Sequence, residues 1–434
     1  MTMARRYTLV AAAVLILIWM VAFQWEWSFI DDVGHKTSVN GALREDGISG
    51  LFSAIGDSAT YDRSWGLFRP MYYVYSVFFY LVNPAVAHGI RLAMMLAAVL
   101  IPALRFGRDR LAALMGVAVL AANITLYQGL SYLSLQELSG VALIAVGFLW
   151  DGPVRRSLWW LAAAWFKTPF VWLFLAWSVY LLSRRKYWAA LNIAVGIATV
   201  VLAVKASRSG TYTQGLSFAN VSVAIKSALP LIRWPGLVGI LAIVALRPDP
   251  RTIAWRDPLA WVFLVGGALY LGNLLPWGQA GSYYGAPAIW LLSVGVLRMV
   301  LMEDRAEFRL ATYVTTAAAV LTLGAAGYIS LKMTREQIDR NAAVVGVRDW
   351  ARNIPPDETI AINSEEAAVR LAQLLTLRGT PHPVVFVPDG DATAQPRYYV
   401  FFHDQSGGSP RLQQNPVRSF EKATVYAPPA TAAP

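Results

Sequence analysis

Two adjacent carboxylates, Asp31 and Asp32, are the residues of this chain whose type and spacing best suit chemistry. They follow an aromatic stretch that contains Trp25, Trp27 and Phe29, just past the first apolar run. Two carboxylates beside a region of low dielectric cannot both ionise cheaply, so one should hold its proton more tightly unless a cation lies nearby. Such a carboxylate can act as a general base, taking the proton of an acceptor hydroxyl whose oxygen attacks an anomeric carbon. The alternative is a solvated pair that caps the next helix.

Several cations further along the chain could serve a site for a negatively charged group. Arg69 ends the polar part of a loop over residues 24–85, and its planar guanidinium can hold a phosphate through two hydrogen bonds. Lys167 lies between two short apolar segments, where an ionisable group is costly unless it faces a cavity. The alternatives are a snorkelling arginine and a lysine that reaches the outer headgroups. His88 and Arg91 are further candidates for phosphate or headgroup contact, although a lone histidine near an interface is more often structural.

The remaining candidates are polar or aromatic residues near the ends of apolar segments. Glu137 could bind sugar hydroxyls, or it could be a favourable anion at a helix N-terminus. Tyr283 and Tyr284 could stack on a sugar or line a lipid groove, the alternative being an aromatic belt at the membrane surface. His35 could complete a Mg²⁺ or Mn²⁺ site with the aspartate pair, although such sites usually contain more carboxylates. A divalent cation therefore stays open, and no other cofactor is predicted.

The composition indicates the environment in which these side chains must be positioned. Of the 434 residues, 56% are hydrophobic and 15% are charged, against about 45–50% and about 25% in soluble domains. The apolar residues form blocks of roughly 16–23, the length that crosses a bilayer. The net charge of +11 is distributed in short clusters between these blocks, which argues against a nucleic-acid partner. Cysteine is absent, so disulfides and thiolate chemistry are excluded.

The basic clusters predict how the chain crosses the membrane. The first apolar run, from Tyr7 to Phe23, lacks a small-residue cleavage site, so we interpret it as a retained span with a cytoplasmic N-terminus. Eleven crossings would bring all the later clusters to the cytoplasmic side. They are Arg105/Arg108/Arg110, Arg155/Arg156, Arg184/Arg185/Lys186, Arg247/Arg251/Arg256 and Arg305/Arg309. This count requires residues 157–183 to cross twice and to turn near Pro169, since proline breaks a helix interior at a cost of about 3 kcal/mol.

The sequence thus predicts a polytopic α-helical membrane protein of about 11 transmembrane helices. Residues 1–331 form the transmembrane domain, and residues 24–85 are its first extracytoplasmic loop. Met71–Val82 is too short to span and predicts an interfacial or re-entrant element. A second apolar set recurs at helical spacing and predicts a short helix on the membrane surface: Ile48, Leu51, Phe52 and Ile55.

The composition shifts towards that of a soluble domain after about residue 332. A helix is predicted over Arg335–Arg352, and runs of β-branched and aromatic residues predict strands. These runs are Thr359–Ile362, Val384–Val387, Tyr398–Phe402 and Ala423–Tyr426. We therefore expect a small extracytoplasmic α/β domain over residues 332–427, followed by a disordered Pro/Ala-rich tail at 428–434.

Several short motifs, in this order, resemble those of the GT-C superfamily of membrane glycosyltransferases. Phe29-Ile30-Asp31-Asp32-Val33 resembles the acidic motif of the first loop in that superfamily, and Arg69-Pro70-Met71-Tyr72-Tyr73 resembles the element leading into the next membrane segment. Ala87-His88-Gly89-Ile90-Arg91-Leu92 is similar to the entry of the second span, and Ala164-Trp165-Phe166-Lys167-Thr168-Pro169 to a lysine-bearing turn. In its length and its small C-terminal tail, the chain most resembles enzymes that use polyprenyl-phosphate sugars, including bacterial arabinofuranosyltransferases of cell-wall or pilin type.

This resemblance implies a glycosyltransferase of the bacterial inner membrane whose donor is a sugar on a polyprenyl phosphate. The acceptor would be an extracytoplasmic glycan, lipid or protein such as pilin. Transfer would be of the inverting type, with Asp31 or Asp32 as base and the other as the orienting residue. The leaving group would be a phosphate monoester dianion that needs a cation; Arg69 is our first choice and Lys167 our second.

Two other classes of function stay open. A membrane transporter or a flippase for lipid-linked sugars would usually show an internal repeat and ionisable residues deep in several spans, and no repeat is found. A membrane scaffold whose tail binds a partner is the third class. Motifs of nucleotide-binding proteins and zinc proteases are absent from the sequence.

Overall fold

The computed structural model describes most of the chain between residues 32 and 427. The described ranges are 32–107, 110–131, 134–207, 217–246, 254–277, 281–301, 343, 346–363, 365–377, 381–387, 398–403, 416–420 and 423–427. The first apolar run, residues 302–331 of the predicted transmembrane domain and the tail 428–434, for which we made predictions, lie outside these ranges. The chain divides into two compact units. Of the described residues, 55–79 and 85–301 belong to the first unit, and 32–54, 80–84 and those from 343 onwards belong to the second.

The predicted domain boundaries stay a prediction, but the division into units treats the first loop differently. It groups residues 32–54 and 80–84 of the first loop with the C-terminal part of the chain, whereas the sequence pattern assigned the whole loop 24–85 to the transmembrane domain.

Two helices begin the described chain, α1 (Asp32–Asp46) and α2 (Ile48–Ser64). Gly47 separates them in the left-handed region, with φ of +62°. Helix α2 contains the helix predicted from its apolar residues, and it continues past Ile55. The side chains of Ile48 and Phe52 are exposed, as a helix lying on a membrane would require, although its place at the membrane surface stays a prediction.

The first unit is helical throughout its described part. Its helices are α3 (Pro70–Phe79), α4 (Pro84–Phe106), α5 (Arg110–Ala121), α6 (Gln128–Ser131), α7 (Gln136–Gly147), α8 (Pro153–Phe166), α9 (Val171–Ser183), α10 (Ala189–Ser207), α11 (Phe218–Leu246), α12 (Pro258–Leu274) and α13 (Ser282–Leu301). Single-turn 3₁₀ helices cover Ile124–Tyr127, Thr168–Phe170 and Leu275–Trp277. Buried tryptophans join the long helices: the Trp290 indole donates to the Ala98 carbonyl at 3.1 Å, and the Trp160 indole donates to the Ile144 carbonyl at 3.1 Å.

Four helical segments of the described chain are long and apolar enough to cross a membrane: Pro84–Phe106, Ala189–Ser207, Phe218–Ile240 and Tyr283–Val300. Shorter apolar segments are Ala112–Ala121, Gln136–Gly147, Thr168–Ser183 and Pro258–Leu274. The break predicted at Lys167-Thr168-Pro169 is confirmed, because α8 ends at Phe166 and Lys167 is extended, with φ of −145° and ψ of 110°. The eleven crossings stay a prediction.

Arginines mark one end of the helices in the first unit. Arg105 lies in the last turn of α4 and pairs with Asp151, while Arg298 lies in the last turn of α13, 2.5 Å from Asp257. Arg156, in the first turn of α8, donates to the Trp150 carbonyl at 2.9 Å. This clustering of cations at helix ends is what the positive-inside rule predicts for cytoplasmic ends.

The second unit contains a five-stranded sheet of order β2-β1-β3-β5-β4. The strands are β1 (Ile360–Ile362), β2 (Val384–Phe386), β3 (Tyr398–Phe402), β4 (Pro416–Phe420) and β5 (Ala423–Tyr426). Strand β1 is parallel to β2 and β3, and β5 is antiparallel to β3 and β4. The four predicted strands are confirmed. Of the predicted helix Arg335–Arg352, residues 343 and 346–351 are helical and Arg352 lies in a turn, while residues 335–342 and 344–345 lie outside the described chain.

Two elements of the second unit were not predicted. Helix α14 (Glu365–Leu377) buries Ala367, Leu371 and Leu374, a helical periodicity that the sequence does contain. Strand β4 lies at an edge of the sheet, begins with a proline and is exposed along most of its length, so it lacks the alternating pattern that identifies a strand.

Candidate functional site

The described chain begins at the second residue of the aspartate pair. Asp31 lies outside the described residues, whereas Asp32 is the first residue of α1, in the second unit, with 0% of its surface exposed. Its Oδ1 accepts a hydrogen bond of 2.6 Å from the Tyr80 hydroxyl. The His35 ring stacks on the Tyr80 ring with 5.3 Å between the centroids. Asp32 is therefore a buried carboxylate with a neutral donor, and no motif in the sequence singles out Tyr80 as that donor.

Arg69 lies in the first unit, where the end of α2 brings the chain back on itself. Gly66 has φ of +80°, its N–H donates to the Arg63 carbonyl, and the N–H of Leu67 donates to the Asp62 carbonyl. This is the hydrogen-bond pattern of a Schellman motif, which ends a helix and reverses the chain. Arg69 consequently returns to Asp62, in the last turn of α2.

The guanidinium of Arg69 is held through most of its donors. Nε donates to Asp62 Oδ2 at 2.8 Å, Nη2 donates to Asp62 Oδ1 at 2.5 Å, and Nη1 donates to Gln136 Oε1. Burial alone would lower the pKa of Arg69, but the charge of Asp62 and its hydrogen bonds outweigh burial and raise it above the usual value. The bidentate pair leaves Arg69 with little freedom to bind a phosphate unless Asp62 is displaced.

Lys167 forms a second buried ion pair at the break between α8 and α9. Its Nζ lies 2.6 Å from Glu137 Oε1 and 4.9 Å from the centroid of the Tyr284 ring. Glu137 is 2% exposed and Lys167 is 7% exposed. The other carboxylate oxygen, Glu137 Oε2, has no hydrogen-bond partner among the described residues, and neither does the buried Tyr270 hydroxyl, which interacts electrostatically with Glu137.

Both ion pairs converge on the start of α7. Gln136 accepts from Arg69, and the next residue, Glu137, pairs with Lys167. The turn that follows Lys167 is also tied to the loop before Arg69, because the Thr168 hydroxyl donates to the Phe68 carbonyl at 2.7 Å. The structure thus brings the two predicted cations into one polar network of the first unit, and it adds Asp62 and Gln136.

The other predicted site residues of the first unit contact neighbouring helices or each other. Arg91 is fully buried on α4 and donates to the hydroxyl of Ser139, in the first turn of α7, at 2.9 Å. His88 Nδ1 lies 3.1 Å from the Leu130 carbonyl oxygen. Tyr283 and Tyr284 contact each other with 4.3 Å between the ring centroids, and of the two it is Tyr284 whose ring lies against the Lys167 ammonium.

The predicted metal site stays a prediction, because it includes Asp31. Within the described ranges, no three His, Cys, Asp or Glu side chains are grouped closely enough to hold a metal ion. Asp32 and His35 are instead engaged with Tyr80.

A helical unit with buried ion pairs at the ends of short apolar helices defines the class of the molecule, a polytopic membrane protein with a polar site built between its helices. No protein-family model and no curated protein matches the chain. Among solved structures, the chain is similar to the crystal structure of ArnT from Cupriavidus metallidurans in the apo state. The TM-score is 0.55 at 13% sequence identity, over 98% of each chain.

ArnT is a GT-C glycosyltransferase that uses a lipid-linked sugar. At 13% identity the likeness shows a shared fold, and it extends over nearly the whole of both chains. The likeness and the long apolar helices support the prediction of an integral membrane protein. Membership of the GT-C superfamily and the arabinofuranosyltransferase type stay predictions.

Proposed function

We propose that this protein is a GT-C-type glycosyltransferase that moves a sugar from a polyprenyl-phosphate donor to an acceptor outside the cytoplasm. The observation that carries the proposal is the buried Lys167–Glu137 pair at a helix break, in a fold shared with an enzyme that uses a lipid-linked sugar. Burying a lysine among apolar helices costs free energy, so such a lysine usually faces a ligand or a polar cavity. A phosphorylated lipid would reach Lys167 from the bilayer.

In the proposed reaction, an acceptor hydroxyl attacks the anomeric carbon of the donor from the face opposite the phosphate. The new glycosidic bond forms as the bond from carbon to phosphate oxygen breaks, and the polyprenyl phosphate leaves with both bonding electrons. Asp31 takes the hydroxyl proton. We assign the base to Asp31 and the orienting role to Asp32, because Oδ1 of Asp32 is already occupied by the Tyr80 hydroxyl.

We propose that Lys167 stabilises the negative charge that develops on the leaving phosphate. An ammonium has three donors, and among the described residues its short contact with a carboxylate is to Glu137 Oε1. It can therefore bridge a phosphate oxygen without giving up this partner. Arg69 is bound by both oxygens of Asp62 and acts in this proposal by holding Gln136 and the start of α7. Glu137 Oε2 and the Tyr270 hydroxyl are candidates to bind donor hydroxyls, and Arg91 and His88 stay candidates for phosphate or headgroup contact.

Incubation of the purified protein with a panel of polyprenyl-phosphate sugars, with products identified by mass spectrometry, tests the proposal. We expect a new glycosidic product with at least one donor, and its loss in Asp31→Asn. Asp57→Asn, which changes an exposed aspartate of α2, is the matched control and should keep full activity. Full activity of Asp31→Asn, Asp32→Asn and the double variant would contradict the proposal. Movement of a lipid-linked sugar across vesicle membranes without any product would favour a transporter or flippase.

The sequence further leads us to propose a bacterial inner-membrane location with the C-terminal sheet outside the cytoplasm. The acceptor would be a cell-envelope glycan, a lipid or a protein such as pilin, and an arabinofuranosyl donor is the first to include in the panel.

A further inference from the structure

Three arginines of the first unit meet where α4 and α13 end and α8 begins. Arg105 lies in the last turn of α4, Arg156 in the first turn of α8 and Arg298 in the last turn of α13; we call them the arginine cluster. The rings of Phe106 and Phe148 make an edge contact with 4.9 Å between their centroids. The Arg298 guanidinium lies 5.0 Å from the Phe106 centroid, and the Arg156 guanidinium lies 5.7 Å from the Phe148 centroid. This aromatic pair brings the two guanidinium groups into one site.

Two carboxylates pair with members of the arginine cluster, and both have other surroundings to serve. Asp151 pairs with Arg105, and its side chain is 84% exposed. Asp257 lies 2.5 Å from Arg298 through Oδ2, while its Oδ1 accepts from the N–H of Leu259 at 3.0 Å and so caps α12. Across the part of the chain that the structure describes, these two carboxylates face three guanidinium groups, which leaves the site with a net positive charge.

Arg156 is the member of the cluster that lacks a carboxylate partner among the described residues. It is 9% exposed, and it donates to the carbonyls of Trp150 at 2.9 Å and Gly147 at 3.4 Å, both of which are neutral acceptors. The charges of Arg298 and Arg105 act on it and repel it. Like charges close together in a partly dry site destabilise one another, so an anion bound between them would lower the free energy of all three.

The surface beside the arginine cluster has the composition of a membrane interface. Trp150 and Trp159 stack with 5.4 Å between their ring centroids, and tryptophans are enriched at the depth of the lipid headgroups. Leu149, Val154 and Leu158 are between 52% and 62% exposed. The last two are four residues apart on α8 and therefore lie on one face of it. A ligand of this surface would carry apolar chains as well as a negative charge.

We propose that the arginine cluster is a binding site for the phosphate of an anionic phospholipid, such as phosphatidylglycerol. Arg156 and Arg298 bind the phosphate oxygens, since planar guanidinium groups fit a phosphate through paired hydrogen bonds, and Arg105 lies at the exposed rim. The acyl chains pack on Leu149 and Leu158. Basic pockets between transmembrane helices bind anionic headgroups in this way. The phosphate then bridges α4, α8 and α13 and stabilises the helical unit.

This site is independent of the proposed glycosyl transfer, because it contains no residue of the polar network around Arg69 and Lys167. Native mass spectrometry of the full chain in detergent, titrated with phosphatidylglycerol and with phosphatidylcholine, measures it directly. We expect phosphatidylglycerol to bind at least roughly tenfold more tightly, since the choline cation would face the arginines, and to raise the midpoint of thermal unfolding. Equal affinity for the two lipids would overturn the proposal.

Arg156→Gln removes the buried charge and keeps a side chain that can donate. The affinity for phosphatidylglycerol should fall roughly ten- to a hundredfold, the range that a hydrogen bond to a charged group supports. Lys186→Gln is the matched control, because it removes one exposed cation from the turn after α9, and its affinity should stay within about twofold of the wild type. An equal loss in both variants would show attraction to overall charge and overturn the site.

Arg105→Gln serves as a second variant in case Arg156→Gln does not fold, because the Arg105 side chain is 49% exposed and its loss disturbs the helices less. We expect the affinity for phosphatidylglycerol to fall roughly three- to tenfold, since a partly exposed charge is screened by water. Unchanged affinity in Arg105→Gln would contradict the assignment of Arg105 to the site.

Inorganic phosphate and glycerol 3-phosphate distinguish a lipid from a free phosphate. Both carry the anionic group without acyl chains, so we expect neither to raise the midpoint of thermal unfolding at a concentration where phosphatidylglycerol does. An equal rise with glycerol 3-phosphate would overturn the lipid assignment and indicate a site for a soluble phosphate ester. Because these experiments measure binding and stability, their outcome does not depend on whether the protein transfers a sugar.

Discussion

At the scale of single residues, two buried cations of the first unit, Arg69 and Lys167, differ in how many of their hydrogen-bond donors are occupied. Asp62 binds Arg69 through both oxygens, and Gln136 takes a third donor. Lys167 has one close carboxylate oxygen, and its partner Glu137 keeps a second oxygen without a hydrogen bond among the described residues. A buried carboxylate oxygen without a donor is costly, so we expect Lys167 and Glu137 to meet the substrate and Arg69 to support them.

The Lys167–Glu137 pair can be removed in two ways that separate stability from activity. Lys167→Met alone leaves Glu137 buried without its cation, which should destabilise the protein by about 3–5 kcal/mol and reduce turnover at least a hundredfold. The double variant Lys167→Met with Glu137→Gln removes the lone charge and should recover most of the thermal stability in detergent while turnover stays low. Recovery of turnover in the double variant would show that the pair is purely structural.

The Arg69–Asp62 pair predicts a different pattern. Arg69→Lys keeps the charge but loses the two parallel hydrogen bonds, so we expect a loss of about 2 kcal/mol in stability with turnover reduced in proportion to the folded fraction. Arg63→Lys, an exposed neighbour in α2, is the control and should leave the midpoint of thermal unfolding unchanged. A rise in KM for the donor in Arg69→Lys, without loss of stability, would instead indicate that Arg69 binds the donor phosphate.

At the scale of elements, the end of α2 determines where Arg69 lies. Gly66 adopts φ of +80°, a conformation that side chains with a Cβ rarely adopt. Gly66→Ala should therefore cost roughly 1–2 kcal/mol and reduce activity through the Arg69–Asp62 pair. Gly56 lies in the interior of the same helix with open space around a built Cβ, so Gly56→Ala should raise stability by about 0.5–1 kcal/mol. Thermal unfolding of both variants checks the prediction, and equal effects would contradict it.

At the scale of the whole molecule, orientation follows from where the helices carry their charges. Arg91 and Arg105 lie 14 residues apart on α4, about 21 Å at 1.5 Å per residue, so the polar network and the arginine cluster belong to opposite ends of the helices. Arginine clusters favour the cytoplasmic side. The polar network would then open outwards, as an extracytoplasmic transfer requires.

The absence of cysteine makes this orientation directly measurable. A membrane-impermeant maleimide should label Thr60→Cys and Arg352→Cys in intact cells, because the first loop and the C-terminal sheet are predicted to lie outside. Lys186→Cys, in the exposed turn after α9, should be labelled only after permeabilisation. Labelling of Lys186→Cys and Thr60→Cys from the same side would contradict the predicted topology.

The sequence by itself determined the features that depend on local pattern. Apolar length and charge clusters indicated the membrane class, Pro169 predicted the break after α8, and β-branched runs predicted β1, β2, β3 and β5, because each follows from hydrophobic burial or backbone sterics over a few neighbouring residues. Only the tertiary structure decided the partners of the charged side chains. Tyr80 lies 48 positions from Asp32 and Gln136 lies 67 from Arg69. Such pairs form only where packing brings distant segments together and excludes water, which no local spacing encodes.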